Sequence, residues 1–179
     1  VGLGIGAPNA NYHRGTIEHA ANLEWKGVVS LVEELNKRFD KPIYVTNDAN
    51  AAAIGEMIYG KAKGMKDFIV ITLGTGLGGG VVSNGKLVYG HDAQAGELGH
   101  IVIDYQGRWT GLGRRGGLEA YVSSTGLKRT VFFLLCDSTK DSVLRDYSYN
   151  DLHGEIITKA AADGDPIARE AYEITGEIL

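Results

Sequence analysis

Phe68-Ile69-Val70-Ile71 runs directly into Thr72-Leu73-Gly74-Thr75-Gly76-Leu77-Gly78-Gly79-Gly80, a β-branched and aromatic run feeding a glycine-rich turn. Consecutive glycines permit positive φ and let backbone N–H groups approach an anion closely, and Thr75 adds a hydroxyl at the tip. The same residues also suit a hairpin. Val81-Val82-Ser83 follows at once, then Asn84-Gly85, the strongest short signal for a type I′ turn, then Lys86-Leu87-Val88. A turn between two strands can bind phosphate while it reverses the chain, so both readings stand at this point.

Working outward, Pro42-Ile43-Tyr44-Val45-Thr46 reads as a short strand ending in Asn47-Asp48-Ala49-Asn50, with a helical stretch from Ala49 to Lys61. Open α/β sheets place their chemistry at such strand ends, where a carboxylate meets a helix start. Helix capping by Asp48 or Asn50 explains the same residues without any chemistry. Downstream, Ala95-Gly96-Glu97-Leu98-Gly99-His100 puts an acid and a histidine three apart among glycines. Carboxylates accept from sugar hydroxyls and imidazole donates or accepts, although an ion pair or a histidine satisfied in the core fits equally. Gly116-Gly117-Leu118-Glu119-Ala120-Tyr121 adds an acid near a helix start, where the helix dipole alone would favour it.

The rest of the chain reads as mixed α/β. A helix period covers Gly27 to Phe39, stopped by Lys41-Pro42. Strands are expected near Ile43–Val45, Phe68–Leu73, Gly80–Val82, Lys86–Val88 and His100–Ile103. Further helices are expected around Leu118 to Leu135, at Leu152 to Asp163 and at Pro166 to Leu179, the last with Asp165 as cap and Pro166 in its first turn. Asp137 to Asn150 reads as a polar loop.

Composition limits the function classes. Hydrophobic residues at 44% and charged residues at 22% exclude intrinsic disorder. A net charge of −4 gives no basic footprint for nucleic acid. No stretch approaches a membrane span. The single cysteine, Cys136, follows Val131-Phe132-Phe133-Leu134-Leu135 and is expected to be a buried free thiol; alone, it forms no intramolecular disulfide.

In their order and spacing, G-I-G-A-P-N at Gly4 to Asn9, A-N-L-E-W at Ala21 to Trp25, N-D-A-N-A-A-A at Asn47 to Ala53, L-G-T-G-L-G-G-G at Leu73 to Gly80, A-G-E-L-G-H at Ala95 to His100 and G-L-E-A-Y at Gly117 to Tyr121 resemble the ROK family of sugar kinases and sugar-responsive repressors. The bacterial glucokinases are the best match within it. The resemblance implies the ribonuclease-H-like fold of the actin and hexokinase superfamily, a mixed sheet with flanking helices. It implies Asp48 as the base that takes the proton from the attacking sugar hydroxyl, Asn47, Glu97, His100 and Glu119 as sugar-binding residues, and Gly74, Thr75 and Gly76 as a phosphate-contacting loop. ATP with Mg²⁺ would be the phosphoryl donor, a hexose, first of all glucose, the acceptor, and the complete protein a cytoplasmic dimer or tetramer. N-acetylmannosamine, fructose and allose are the alternative acceptors, and a sugar-sensing repressor is the alternative function.

Two departures accompany the resemblance. The family commonly holds a structural zinc through a histidine and a C-x-C-G-x-x-G-C-x-E run, where this chain has Thr110-Gly111-Leu112-Gly113-Arg114-Arg115-Gly116-Gly117-Leu118-Glu119. Thr110, Leu112 and Gly117 replace the cysteines, and His100 alone does not make a tetrahedral site, so no zinc is expected. The second departure is coverage. No D-x-G-G-T-like phosphate loop precedes Val1-Gly2-Leu3-Gly4-Ile5-Gly6, and the chain stops at Glu177-Ile178-Leu179 within an amphipathic pattern. The expectation is the central part of a larger kinase, inactive by itself, with residues 1–45 ending the N-terminal lobe and residues 46–179 belonging to the larger C-terminal lobe.

Overall fold

The computed structural model describes residues 1–20 and 23–179. The A-N-L-E-W stretch at Ala21 to Trp25 therefore begins outside the described residues. The chain divides into two compact units, residues 1–72 with 78–97, and residues 73–77 with 98–179.

In the first unit, β1 (Leu3–Gly6) pairs in parallel with β5 (Ile43–Thr46), in register from Leu3 opposite Ile43 to Gly6 opposite Thr46. Between them lie an antiparallel ribbon of β2 (Ala10–Asn11), β3 (Thr16–Glu18) and β4 (Val28–Val29), and the short helix α1 (Leu31–Asn36). The ribbon has no alternating pattern to announce it. Its β2–β3 turn is held by Asn11, buried, whose Oδ1 accepts from the N–H groups of His13 and Arg14 at 3.0 and 3.2 Å. The helix expected over residues 27–39 is shorter than its period suggests. Gly27 takes φ of +82° and the β-branched pair Val28-Val29 joins β3 instead. A small core of Ala7, Ala10, Ile17, Ala20 and Val45 fills this side of the unit.

After β5 the chain turns into α2 (Asp48–Ile58), then into the meander β6 (Phe68–Leu73), β7 (Leu77–Ser83) and β8 (Lys86–Leu87). The Asn84-Gly85 turn is of type I′, with φ of +51° and +73°. Asp67 accepts from the Asn84 N–H at 2.9 Å and the Ser83 hydroxyl at 3.0 Å, and these donations, the backbone one foremost, hold its carboxyl below the usual range. Part of the glycine run serves packing. A Cβ on Gly78 would meet Ala49 Cβ at 2.8 Å, and one on Gly80 would meet the Ala49 carbonyl at 3.0 Å and Ala53 Cβ closer still. Small residues on both sides let α2 lie directly on β7.

The second unit is mainly helical. A single 3-10 turn at Leu98–His100 leads into a long loop, then α3 (Glu119–Val122), α4 (Ser124–Asp137), α5 (Gly154–Asp163) and α6 (Pro166–Ile178). The strand expected at His100–Ile103 does not form. Those residues share one bridge, Val102 with Gly117, and two backbone bonds, Leu118 N–H to Ile101 O and Ile103 N–H to Gly116 O, too few for a ladder. The helix expected around residues 118–135 is broken at Ser123, whose extended backbone (ψ of 168°) ends α3 and whose hydroxyl caps α4 through the Gly126 N–H.

Leu127, Val131 and Leu134 of α4 meet Leu144, Leu152, Ile157 and Ile167 in the core of this unit. Leu144, Leu152, Ile157 and Ile167 are fully buried, each worth roughly 1.5–3 kcal/mol of apolar transfer. Cys136 is exposed, contrary to the sequence expectation. Helical spacing turns it away from the Leu127–Val131–Leu134 face, as it does the exposed Phe133. Asp165 caps α6 through the Ala168 N–H, as its place before Pro166 predicts. Among the described residues, no helix is long and apolar enough to cross a membrane.

Candidate functional site

In the first unit, β5 delivers Asn47 and Asp48 to the start of α2. Asn47 is the cap, its Oδ1 accepting from the Ala49 N–H at 2.8 Å. Asp48 is the first residue of the helix and is exposed, its Oδ1 also 2.9 Å from the Ala49 N–H. The capping explanation weighed for Asp48 and Asn50 therefore belongs to Asn47. Asn50 is buried instead, and its Oδ1 has no protein partner. The Asp48 carboxylate stands on a rigid helix end, open to solvent and next to the positive end of the dipole.

Glu97 closes the last segment of this unit and is exposed. Gly96 before it takes φ of +88°, and a Cβ there would sit 2.6 Å from the Gly79 carbonyl. The backbone carrying Glu97 therefore lies flat on β7, which only glycine at position 96 permits.

In the second unit, the Gly74–Gly76 turn is anchored on the start of α4. The Gly74 carbonyl accepts from the Ser124 N–H at 2.9 Å and from its hydroxyl at 2.7 Å, and the Thr75 carbonyl accepts from the Thr125 hydroxyl at 3.2 Å. In a trans peptide the C=O and the following N–H point in opposite directions. With two successive carbonyls turned towards α4, the N–H groups of Thr75 and Gly76 point away from it, which makes them candidate donors to an anion.

Glu119 joins this turn. Its Oε2 accepts from the Leu77 N–H at 3.0 Å, and a Cβ on Gly76 would collide with that same oxygen. Gly99 closes the other side, where a Cβ would sit 3.3 Å from Glu119 Cβ and 2.8 Å from the Leu77 carbonyl. His100, exposed, and Glu119, half-buried, flank the two ends of one loop whose base is pinned by the Leu118 N–H to Ile101 O bond of 2.9 Å. Gly74, Thr75, Gly76, His100 and Glu119 thus lie in one unit, and Asn47, Asp48 and Glu97 in the other.

Sequence reasoning missed the anchoring residues Ser124 and Thr125. Ser123-Ser124-Thr125 before an apolar run is a readable helix-start signal, but what it would hold was not.

The sequence profile of the ROK family matches residues 1–179. The glucokinase of Halalkalibacterium halodurans is 39% identical over 168 residues, covering 91% of this chain and 50% of that protein. The crystal structure of a ROK family glucokinase from Streptomyces griseus in complex with glucose and AMPPNP matches with a TM-score of 0.84 at 35% identity, covering 99% of this chain and 58% of that one. A ROK family transcriptional regulator, described as a homolog of the E. coli MLC protein, matches with a TM-score of 0.88 at 30% identity over 100% of this chain and 44% of its own. This chain spans about half the length of the curated relatives it matches. Its fold is that of the ROK hexokinases, the mixed α/β architecture of the actin and hexokinase superfamily. The chain belongs to the ROK family.

Proposed function

We propose that this chain is part of an ATP-dependent hexose kinase whose acceptor is glucose and whose general base is Asp48. The observation that carries the reading is the exposed Asp48 carboxylate on the first turn of α2, with the capping role already taken by Asn47. Asp48 shares the Ala49 N–H with that cap through one oxygen, and its solvent-exposed carboxylate on a helix end is suited to orient a hydroxyl and accept its proton. The likeness to a glucokinase that holds glucose and AMPPNP supports the substrate pair.

In this reading the hydroxyl proton passes to Asp48 as the sugar oxygen bonds to the γ-phosphorus and the bond to the ADP oxygen breaks. Such transfer through a loose transition state asks the protein mainly for positioning and charge stabilisation. Thr75 and Gly76 donate backbone N–H groups to phosphate oxygens. Glu97, His100, Glu119 and the Asn47 amide Nδ2 bind sugar hydroxyls, and an epimer that leaves one of them unpaired is disfavoured. Mg²⁺ arrives on the nucleotide's phosphates and supplies charge neutralisation.

The second reading, a sugar-sensing regulator, is favoured by the likeness to the transcriptional regulator. A coupled phosphorylation assay on the full-length protein with ATP-Mg²⁺ and glucose, N-acetylmannosamine, fructose or allose, beside calorimetric titration of each sugar, separates the two. Glucose turnover above that of the other sugars is the expected result. Sugar binding without turnover would favour the sensor.

A further inference from the structure

Residues 101–118 form a loop that carries His100 at one end and Glu119 at the other, in the stretch where the ROK resemblance implies a zinc ion. The residues present do not fit that ion. Gly117 is buried, and a Cβ there would already meet Thr110 Cγ2 at 2.8 Å and the Gly99 carbonyl at 3.2 Å, so no liganding side chain has room. Leu112 points to solvent at 68% exposure, and the Thr110 hydroxyl accepts from the Arg114 N–H.

Arg108, at the middle of the loop, fixes the loop to the helices that follow it. Its Nη1 lies 2.9 Å from Thr130 Oγ1, 3.2 Å from the Gly126 carbonyl and 3.4 Å from the Ala120 carbonyl, which ties it to both α3 and α4. Its guanidinium sits over the Tyr121 ring at 4.8 Å, and its own N–H donates to the Tyr121 hydroxyl at 3.0 Å. That hydroxyl donates in turn to Asp104 Oδ2 at 3.4 Å, and the Arg108 carbonyl accepts from the Gly116 N–H at 2.8 Å. Loop and helix junction therefore meet at one residue.

The partners of this half-buried guanidinium are neutral oxygens and a ring face. Burial pulls its pKa below the ordinary arginine value, but a guanidinium keeps its proton in proteins. A charge taken from water without a carboxylate to meet it is tolerated where several dipoles are fixed around it, so the arrangement reports a rigid socket. At the tip, Arg115 lies over the Trp109 ring at 4.5 Å and Arg129 donates to the Trp109 carbonyl at 2.6 Å, so arginines hold this end of the loop as well.

We infer that Arg108 is a positioning residue, holding the 101–118 loop on the α3–α4 junction and so setting His100 and Glu119 for the sugar. The second half of this inference rests on the sugar-binding reading above. The first half does not.

The test uses full-length protein, wild type, Arg108→Met and Arg108→Lys, with hydrogen exchange in the absence of ligand, glucose calorimetry and steady-state kinetics. Arg108→Met should stay folded, lose exchange protection at the amides of Gly116 and Leu118, and weaken glucose binding roughly tenfold, the scale of a lost charged hydrogen bond. KM for glucose should rise while KM for ATP holds, and Arg108→Lys should restore part of the loss. Unchanged exchange protection in Arg108→Met would overturn the clamp. Lost protection with unchanged glucose affinity would overturn the positioning role alone. A wild type that binds no sugar would sink the kinase reading, and exchange would still decide the clamp. Stoichiometric zinc in the wild type, whose removal weakens glucose binding, would overturn the conclusion that these residues do not fit the ion. If Arg108→Met does not fold, Tyr121→Phe, which removes only the hydroxyl between Arg108 and Asp104, should show the same changes in smaller measure, and no change would count against the inference.

Discussion

Glu119 reaches across 42 residues of sequence to take the Leu77 backbone N–H at 3.0 Å, which fixes the sugar-binding candidate to the exit of the glycine turn. One carboxylate oxygen is thus committed to the fold, and the other is the atom that the proposed sugar site would use. Glu119→Gln keeps the size and replaces a charge-assisted acceptor with a neutral one. It should weaken glucose binding roughly tenfold or more in calorimetry on the full-length protein. Unaltered affinity would remove Glu119 from the sugar site.

Gly76 and Gly74 differ in what surrounds them. A Cβ at Gly76 meets the Glu119 carboxylate, whereas at Gly74 nothing lies within 4 Å. Gly76→Ala should therefore displace Glu119, costing about 1–3 kcal/mol in thermal or denaturant unfolding, and lower glucose affinity with it. Gly74→Ala should leave both near wild type. Equal effects at the two positions would mean that backbone freedom, not the Glu119 contact, explains the glycines.

The positions of the candidate residues and the turns were legible where they depend on local chemistry. Asn47-Asp48 at a strand end, Asn84-Gly85 at a hairpin and Asp165-Pro166 at a helix start are each decided by a few neighbouring residues, and each lies where those neighbours put it. What escaped depends on partners far along the chain. Nothing in the glycine run distinguishes Gly78 and Gly80, which let α2 approach, from Gly76, which makes room for Glu119. The β2–β3 ribbon is too short to show alternation, and the break at Ser123 is hidden inside a continuous helical period. Arg108, with no arginine beside it in sequence, carries no local sign that it binds the helix junction.

Asp165 joins α6 to the 137–150 segment, accepting from the Ala168 N–H at 3.0 Å, the Ser142 hydroxyl at 3.1 Å and the Val143 N–H at 2.9 Å. Burial pushes its carboxyl upward, and these donations together with that of the Ile167 N–H outweigh it and hold the pKa below the ordinary value. A depressed folded-state pKa stabilises the fold fully above the unfolded value, about 3.9, and the contribution is lost as pH falls through the folded one. Asp165→Ala should lower unfolding stability at pH 7 by about 1–3 kcal/mol. Its stability should also fall less than that of the wild type between about pH 5 and pH 2. Parallel pH curves would contradict the assignment.

The exposed Cys136 makes a simple check on the orientation of α4. Native full-length protein treated with an alkylating reagent should carry the label on the Cys136 peptide in mass spectrometry without denaturant. Labelling only after unfolding would place that face of α4 in the interior or at an interface.

The central claim is that Asp48 is the base of a sugar kinase, and Asp48→Asn in the full-length protein tests it most directly. The substitution keeps the size and a carbonyl oxygen for the Ala49 N–H, and removes the negative charge and with it the ability to accept the proton. Glucose phosphorylation with ATP-Mg²⁺ should fall by about 10² or more, within the range for loss of a general base, while calorimetric glucose affinity stays within a fewfold of wild type. Turnover retained near the wild-type rate would contradict the account.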